Sequence, residues 1–233
     1  MIYNLDKIEP QIHRLRDYDL TKNFLAISII TNDLGIGIHS GIIACHNSEV
    51  TYMHFTGKIK LQTLDIFPDN MYIKELTIFD RALIGYYKTQ MEIIAQEANP
   101  IYGVVFQDSF YKADGTYYSE TNLPDICTCV GFCVNTIRAM MYNNSEYLLL
   151  DDWDETTLQS IEDDLPGMVF STLEYLDQHV GGISEDLKNR MVKRIKPSEL
   201  TSSAYFEAMP IPKVNVDYIN PTVMQVLQVK QFI

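Results

Sequence analysis

Three side chains have the types that thiol-based acyl transfer needs: Cys129, His39 and His54. A thiolate attacks a carbonyl carbon readily, given a base to take its proton and donors to hold the oxyanion. The chain has four cysteines, Cys45, Cys127, Cys129 and Cys133, and three of them fall within seven residues at the head of a predicted helix. Leu123-Pro124-Asp125 sets its start with Asp125 as N-cap, and apolar residues continue through Ile126, Val130, Phe132, Cys133, Ile137 and Met140 to Asn143-Asn144-Ser145. This places Cys127 at the second helical position and Cys129 at the fourth. There the unpaired N–H groups and the helix dipole should bring a thiol pKa below about 8.5. Gly131 leaves room for a backbone or a substrate beside the thiol. Buried, inert packing is the commoner use of an intracellular cysteine, and composition alone favours it. The Cys-x-Cys-x3-Cys spacing is not that of a zinc site, so no metal is expected.

The base must come from five histidines: His13, His39, His46, His54 and His179. His39 lies in the β-like run Ile36–Cys45 and His54 in Val50–Phe55, with His46-Asn47-Ser48-Glu49 as the turn between them. A two-residue loop at His46-Asn47 sets His39 directly opposite His54; one at Asn47-Ser48 sets His54 opposite Gly41. Both keep the two imidazoles on one face of the sheet, because side chains alternate with period two. Such a pair suits a base and the group that orients it. Either could equally be an ordinary polar residue on a sheet face. His46, at the turn, competes for the base role.

The elements that must position these residues alternate through the first 145 residues. Asn23–Ile30 reads as a strand ahead of the hairpin. Asp80–Asn99 reads as a helix with Asp80 as N-cap and Pro100 beyond its end, Tyr102–Gln107 as a strand, and Asp114-Gly115 as a hairpin turn. Shorter helices follow around Glu155–Asp164 and Ser184–Ile195, and the tail from Thr201 reads as extended. The fold class is therefore α+β, with a body over 1–145 and an acidic, mainly helical extension over 146–233 packed on it.

His39-Ser-Gly-Ile-Ile-Ala and Val50-Thr-Tyr-Met-His54-Phe55 resemble the "H-x-G/A-I-Y-x-G…V-x-H-F" hairpin of the circularly permuted NlpC/P60 proteins. These are the papain-like group that includes the lecithin–retinol acyltransferase and H-rev107-type families. Thr128-Cys129-Val-Gly-Phe132 is similar to their "N-C-E-H-F-V" helix start, and the order His, His, Cys is the permuted one. Thr128 stands where that group has Asn, and Val130-Gly131 where it has Glu-His. The resemblance spans about residues 24–142. It implies a permuted papain-like fold, an antiparallel sheet packed on a Cys-bearing helix. It also implies Cys129 as nucleophile, His39 as base, His54 as its orienting partner, and no cofactor. The reaction class implied is hydrolysis or transfer at an amide, ester or thioester through an acyl-thioenzyme, on a small-molecule or peptide substrate.

Composition bounds the rest. The chain has 233 residues, 46% hydrophobic and 21% charged, as a globular domain does. No apolar run approaches the roughly 20 residues that cross a bilayer, and the start Met1–Pro10 lacks signal-peptide character. The expectation is a cytoplasmic protein, or one exported without an N-terminal signal. The net charge is −13, and residues 146–186 hold twelve acidic residues and no Lys or Arg. A nearly neutral body thus carries one acidic segment, which excludes a nucleic-acid footprint. That segment is either solvated surface or a docking face for a basic protein partner, as in an inhibitor or immunity protein. Asp151-Asp-Trp-Asp-Glu155 lacks the glycine and distal glutamate of a calcium loop and reads as solvated surface.

Overall fold

The computed structural model describes residues 3–104, 106, 108–120, 124–164, 167–179 and 191–232. It is mixed α/β, built on a six-stranded antiparallel sheet in the order β1-β6-β2-β3-β4-β5. The strands are β1 (His13–Arg14), β2 (Phe24–Thr31), β3 (Gly37–His46), β4 (Glu49–Phe55), β5 (Ile59–Thr63) and β6 (Met71–Glu75). The β3–β4 turn is Asn47-Ser48, and both residues have positive φ, as a two-residue hairpin loop whose twist matches its strands requires. His46 then faces Glu49 and Gly41 faces His54, so the second of the two anticipated registers is the one formed.

Alternation sorts the strands into two apolar faces. Leu25, Ile27, Ile29, Ile42, Ala44, Met53, Phe55 and Tyr72 belong to the main core. Phe24, Ala26, Ile43, Cys45, Val50, Tyr52, Met71 and Ile73 form a second layer, covered by Leu15, Tyr18, Leu20, Leu64 and Phe67. The main core is closed by α1 (Ile84–Glu97) and α2 (Cys129–Met140). Asp80 caps the short 3-10 turn that leads into α1 by accepting from Ala82 N–H at 2.9 Å. Every residue of α2 is buried, which suits a helix apolar on all sides. Its two large polar residues find partners within the protein, although the buried Arg138 Nε has none. Asn135 Nδ2 donates to Ser109 Oγ at 2.9 Å, and Arg138 pairs with Asp108 and lies over the Phe110 ring.

Several elements differ from expectation. The Tyr102–Gln107 strand is only β7 (Ile101–Tyr102), and residues 105 and 107 lie outside the described ones. The Asp114-Gly115 hairpin is present, pairing β8 (Ser109–Tyr111) with β9 (Tyr117–Ser119). Ile126–Cys127, expected as the first turn of a helix, is strand β10, parallel to β7. Glu155–Thr156 is strand β11 and precedes α3 (Leu158–Asp164); it pairs with β12 (Val192–Lys193), where a helix was expected, while 181–190 lie outside the described residues. Helix α4 covers Met168–His179.

The largest correction is the tail. Rather than extended chain it forms α5 (Pro197–Ser203) and the 19-residue α6 (Lys213–Gln231). Val216, Ile219, Val223, Val226 and Leu227 of α6 make a helical stripe buried in the main core, which therefore runs from Ile8 to Leu227. Pro221 lies inside α6 and removes one backbone donor, which locally reads as a helix stop; burial of the stripe outweighs it. The end of α6 packs on the β2–β3 turn. Gly35 has φ +72°, and any Cβ there would come within 2.5 Å of the Gln228 Cα.

Candidate active site

Helix α2 begins at Cys129, three residues later than Asp125 capping would have it. Thr128 is the N-cap: its Oγ1 accepts from Gly131 N–H at 3.1 Å, and its carbonyl accepts from Phe132 N–H at 2.9 Å. Asp125 is diverted because its carbonyl accepts from Ile101 N–H at 2.7 Å as β10 pairs with β7. Cys129 is thus the first helical residue, and Cys127 is not helical at all. Thr128→Ala is expected to cost about 1 kcal/mol, read as a lowered denaturant midpoint at unchanged slope. Gly131 serves packing rather than substrate approach: a Cβ there would meet Phe106 Cδ2 at 2.7 Å.

The Cys129 side chain is 7% exposed and belongs to the main core. Backbone N–H groups of Ser40, Val130 and Cys129 point to its sulfur and favour the thiolate, but burial is the larger effect and pushes the thiol above its ordinary value. The expected lowering by the helix start is therefore reversed. Cys127 and Cys133 are enclosed more completely and held well above the usual thiol range by burial. Cys45 Sγ donates to Leu20 O at 3.4 Å on the other sheet face.

His39 Nε2 and His54 Nδ1 are 2.9 Å apart, joined in one hydrogen bond. The His54 ring stacks on Tyr52 at 4.5 Å with 7° between planes, and Tyr52 in turn lies against Gly41, where a Cβ would strike its ring. Burial, with the Lys60 charge, lowers both imidazoles; His54 falls to about 4, helped by His39. At neutral pH both rings are uncharged and the thiol carries its proton.

The sheet brings the two histidines together and brings Cys129 to their strand. Alternation puts His39, Gly41, Tyr52 and His54 on the face of the second layer, and Ser40, Ile42 and Ala44 on the face that α2 covers. The sulfur meets β3 at Ser40 N–H, one residue past Gly41–His54, the last pair of the β3–β4 ladder. No hydrogen bond joins Cys129 Sγ to an imidazole among the described residues. His46 is excluded as a rival base: it lies at the other end of β3, where its ring packs over Gly85 of α1.

Two cavities open at this rim. One of about 490 Å³ has Cys129 and Thr128 in its wall, with Ile36, Ile38, Val104 and Met224. The other, of about 470 Å³, is bounded by His39, Thr56, Gly57 and Tyr175. Tyr102 lines both. Tyr102 and Ser40 were not singled out in the sequence; only the β7–β10 and α2–β3 contacts reveal them. Among the described residues no three His, Cys, Asp or Glu side chains are grouped to hold a metal ion, and no helix is long and apolar enough to cross a membrane. No protein-family model, no curated protein and no solved structure matches this chain.

Proposed function

We propose that the protein is a cysteine-dependent hydrolase or acyltransferase with Cys129 as nucleophile, His39 as base and His54 as the residue that orients the base, on a permuted papain-like arrangement. The observation that carries the reading is the pair of adjoining cavities: Cys129 is in the wall of one, His39 in the wall of the other, and Tyr102 in both. An acyl group seated in the first presents its carbonyl to the sulfur beside the N–H groups of Ser40 and Val130, which suit an oxyanion.

The proton inventory follows from the resting charges. His39 Nε2 is engaged with His54, so Nδ1 is the nitrogen left to take the thiol proton. Sγ then bonds to the carbonyl carbon, and collapse of the tetrahedral adduct breaks the bond to the leaving group, which takes the proton from His39. Water or an acceptor hydroxyl next gives its proton to His39, attacks the thioester and releases Sγ, which recovers the proton. His54 Nδ1, accepting from His39 Nε2, stabilises the transient imidazolium. Because His39 projects from the face of β3 opposite to the one that α2 covers, the reading requires its ring to reach the sulfur around the sheet rim, beyond the Gly41–His54 pair, when substrate binds.

Hydrolysis of p-nitrophenyl esters of aliphatic acids tests this. His39→Ala is expected to lower kcat/KM by about 10²–10⁴-fold, the worth of a general base; an unchanged rate contradicts the reading. The acid limb of the pH profile should lie below 6.5, since both imidazoles are lowered. The Lys60 cation disfavours their protonated forms, so Lys60→Gln should move that limb to higher pH.

A second reading rests on exposure of the acidic segment. Asp151, Asp152, Asp154 and Glu155 all face solvent, as a surface for a basic protein would. It requires association that weakens steeply with salt and is indifferent to Cys129→Ala.

A further inference from the structure

Helix α6 commits only one of its faces to the fold. Val216, Ile219, Val223, Val226 and Leu227 point into the main core. On the outer face Val214, Tyr218, Val229 and Phe232, the last capping the helix, are 69%, 47%, 49% and 74% exposed. Tyr218, Thr222, Gln225, Val229 and Phe232 follow one another at steps of four, three, four and three residues. That is the spacing of a seam by which one helix packs along another. Pro221 flanks the seam rather than lying in it. Beside it a groove of about 310 Å³ separates α6 from the N-terminal turns Leu5–Lys7 and Glu9–Gln11, with Leu5, Val226 and Val229 in its wall and Asp6 and Glu9 at its edge.

The seam holds no charged side chain. The three charged residues of α6 are Lys213, Asp217 and Lys230, and the first two pair with each other at 2.7 Å. This narrows the occupant. A basic protein is drawn to residues 146–186 instead. An anionic bilayer repels a chain of net charge −13 whose seam offers it no Lys or Arg. A second copy of the same helix does match. Set antiparallel, Tyr218 meets Val229 of the other copy, Thr222 meets Gln225, and Asn215 meets Phe232, each pair occurring twice about a two-fold axis. The ring and aliphatic pairs bury apolar surface, the hydroxyl and amide suit one another as donor and acceptor, and opposed helix dipoles attract.

We infer that the protein forms a two-fold homodimer through this outer face, α6 packing antiparallel on α6 of a second copy. The inference is independent of the acyl-transfer reading, because neither Cys129 nor His39 belongs to the seam. The helix has 19 residues, so the seam is about 28 Å long. A contact of that length is at the small end of specific interfaces, and the dimer should dissociate on dilution.

Sedimentation equilibrium on the full chain, from about 5 to 500 µM, tests this across the range of weak affinities. The average mass is expected to rise from one chain towards two. Added salt should favour the dimer, since it screens the repulsion between two acidic bodies. Tyr218→Lys with Val229→Lys should hold the protein at one chain throughout, with an unchanged circular dichroism spectrum. Leu34→Lys, at an exposed apolar position away from α6, should leave the dimer intact. Orientation is read by mixing Asn215→Cys with Phe232→Cys under mild oxidation, the four native cysteines being buried. The mixed disulfide is expected, with little of either self-linked product. A single-chain mass at the highest concentration, a dimer untouched by the paired lysines, one that weakens as salt rises, or self-linked Asn215→Cys in place of the mixed product overturns the inference.

Discussion

Cys129→Ala is expected to abolish acyl-enzyme formation and ester hydrolysis completely while leaving the fold and ligand binding in place. The substitution removes the one atom that bonds to the acyl carbon, so nothing remains to form the thioester. Structural damage is expected to be small, because the helix start is held by Thr128 rather than by the cysteine. Cys127→Ala and Cys133→Ala serve as controls. Both thiols are enclosed in the main core and held protonated by burial, and both variants should retain turnover. Residual hydrolysis by Cys129→Ala at wild-type rates would show that the nucleophile lies elsewhere. Stopped-flow release of p-nitrophenol, with circular dichroism to verify folding, makes the comparison.

The second large effect is on stability and comes from a group outside the proposed chemistry. The Asp125 carboxyl is largely buried, and the Tyr111 hydroxyl lies against it without closing a well-formed hydrogen bond. Burial raises its pKa to about 7, and the Tyr111 hydroxyl offsets this only in part. In the unfolded chain an aspartate titrates near 3.9. Between these values the folded protein binds the extra proton. Stability from this group is therefore full below about 4 and is lost as pH rises to 7.

An amide in place of this carboxyl cannot ionise, so Asp125→Asn should match wild type near pH 4. It should exceed wild type by about 2–4 kcal/mol above pH 7, since each pKa unit is worth about 1.4 kcal/mol. His54 works in the opposite direction. Its folded pKa is about 4 against an unfolded 6.5, so its contribution is present above 6.5 and lost as pH falls to 4. In Asp125→Asn that acid limb should stand out, no longer offset by the carboxyl. Urea unfolding at pH 4.5, 6 and 8.5 reads both effects, and parallel profiles for the two proteins would contradict the assignment.

What the sequence discloses and what it hides divides along local and non-local lines. The β3–β4 register is local: Asn47-Ser48 makes the turn, and alternation then puts both imidazoles on one face. The start of α1 is local as well, through the Asp80 cap. The start of α2 is not. Asp125 and Thr128 are both competent caps, and the choice between them depends on Ile126–Cys127 pairing with Ile101–Tyr102, about 25 positions away. α6 is obscured by Pro221, whose cost is visible in the sequence while the compensating burial is not.

The thiol illustrates the same divide in energetics. A helix start and nearby N–H groups are inferable from the chain; the desolvation that outweighs them depends on packing. The cavity is the least legible feature, because its walls come from the β2–β3 turn, Tyr102, the head of α2, Arg194–Glu199 and α6.

Peptide mapping by mass spectrometry, after brief exposure of the wild-type protein to an aliphatic p-nitrophenyl ester at neutral pH, tests the central claim most directly. The expected result is a single acylated thiol, Cys129, whose modification disappears in His39→Ala. Acylation spread evenly over the four cysteines, absent from all of them, or undiminished by His39→Ala would contradict a nucleophile at Cys129 served by His39.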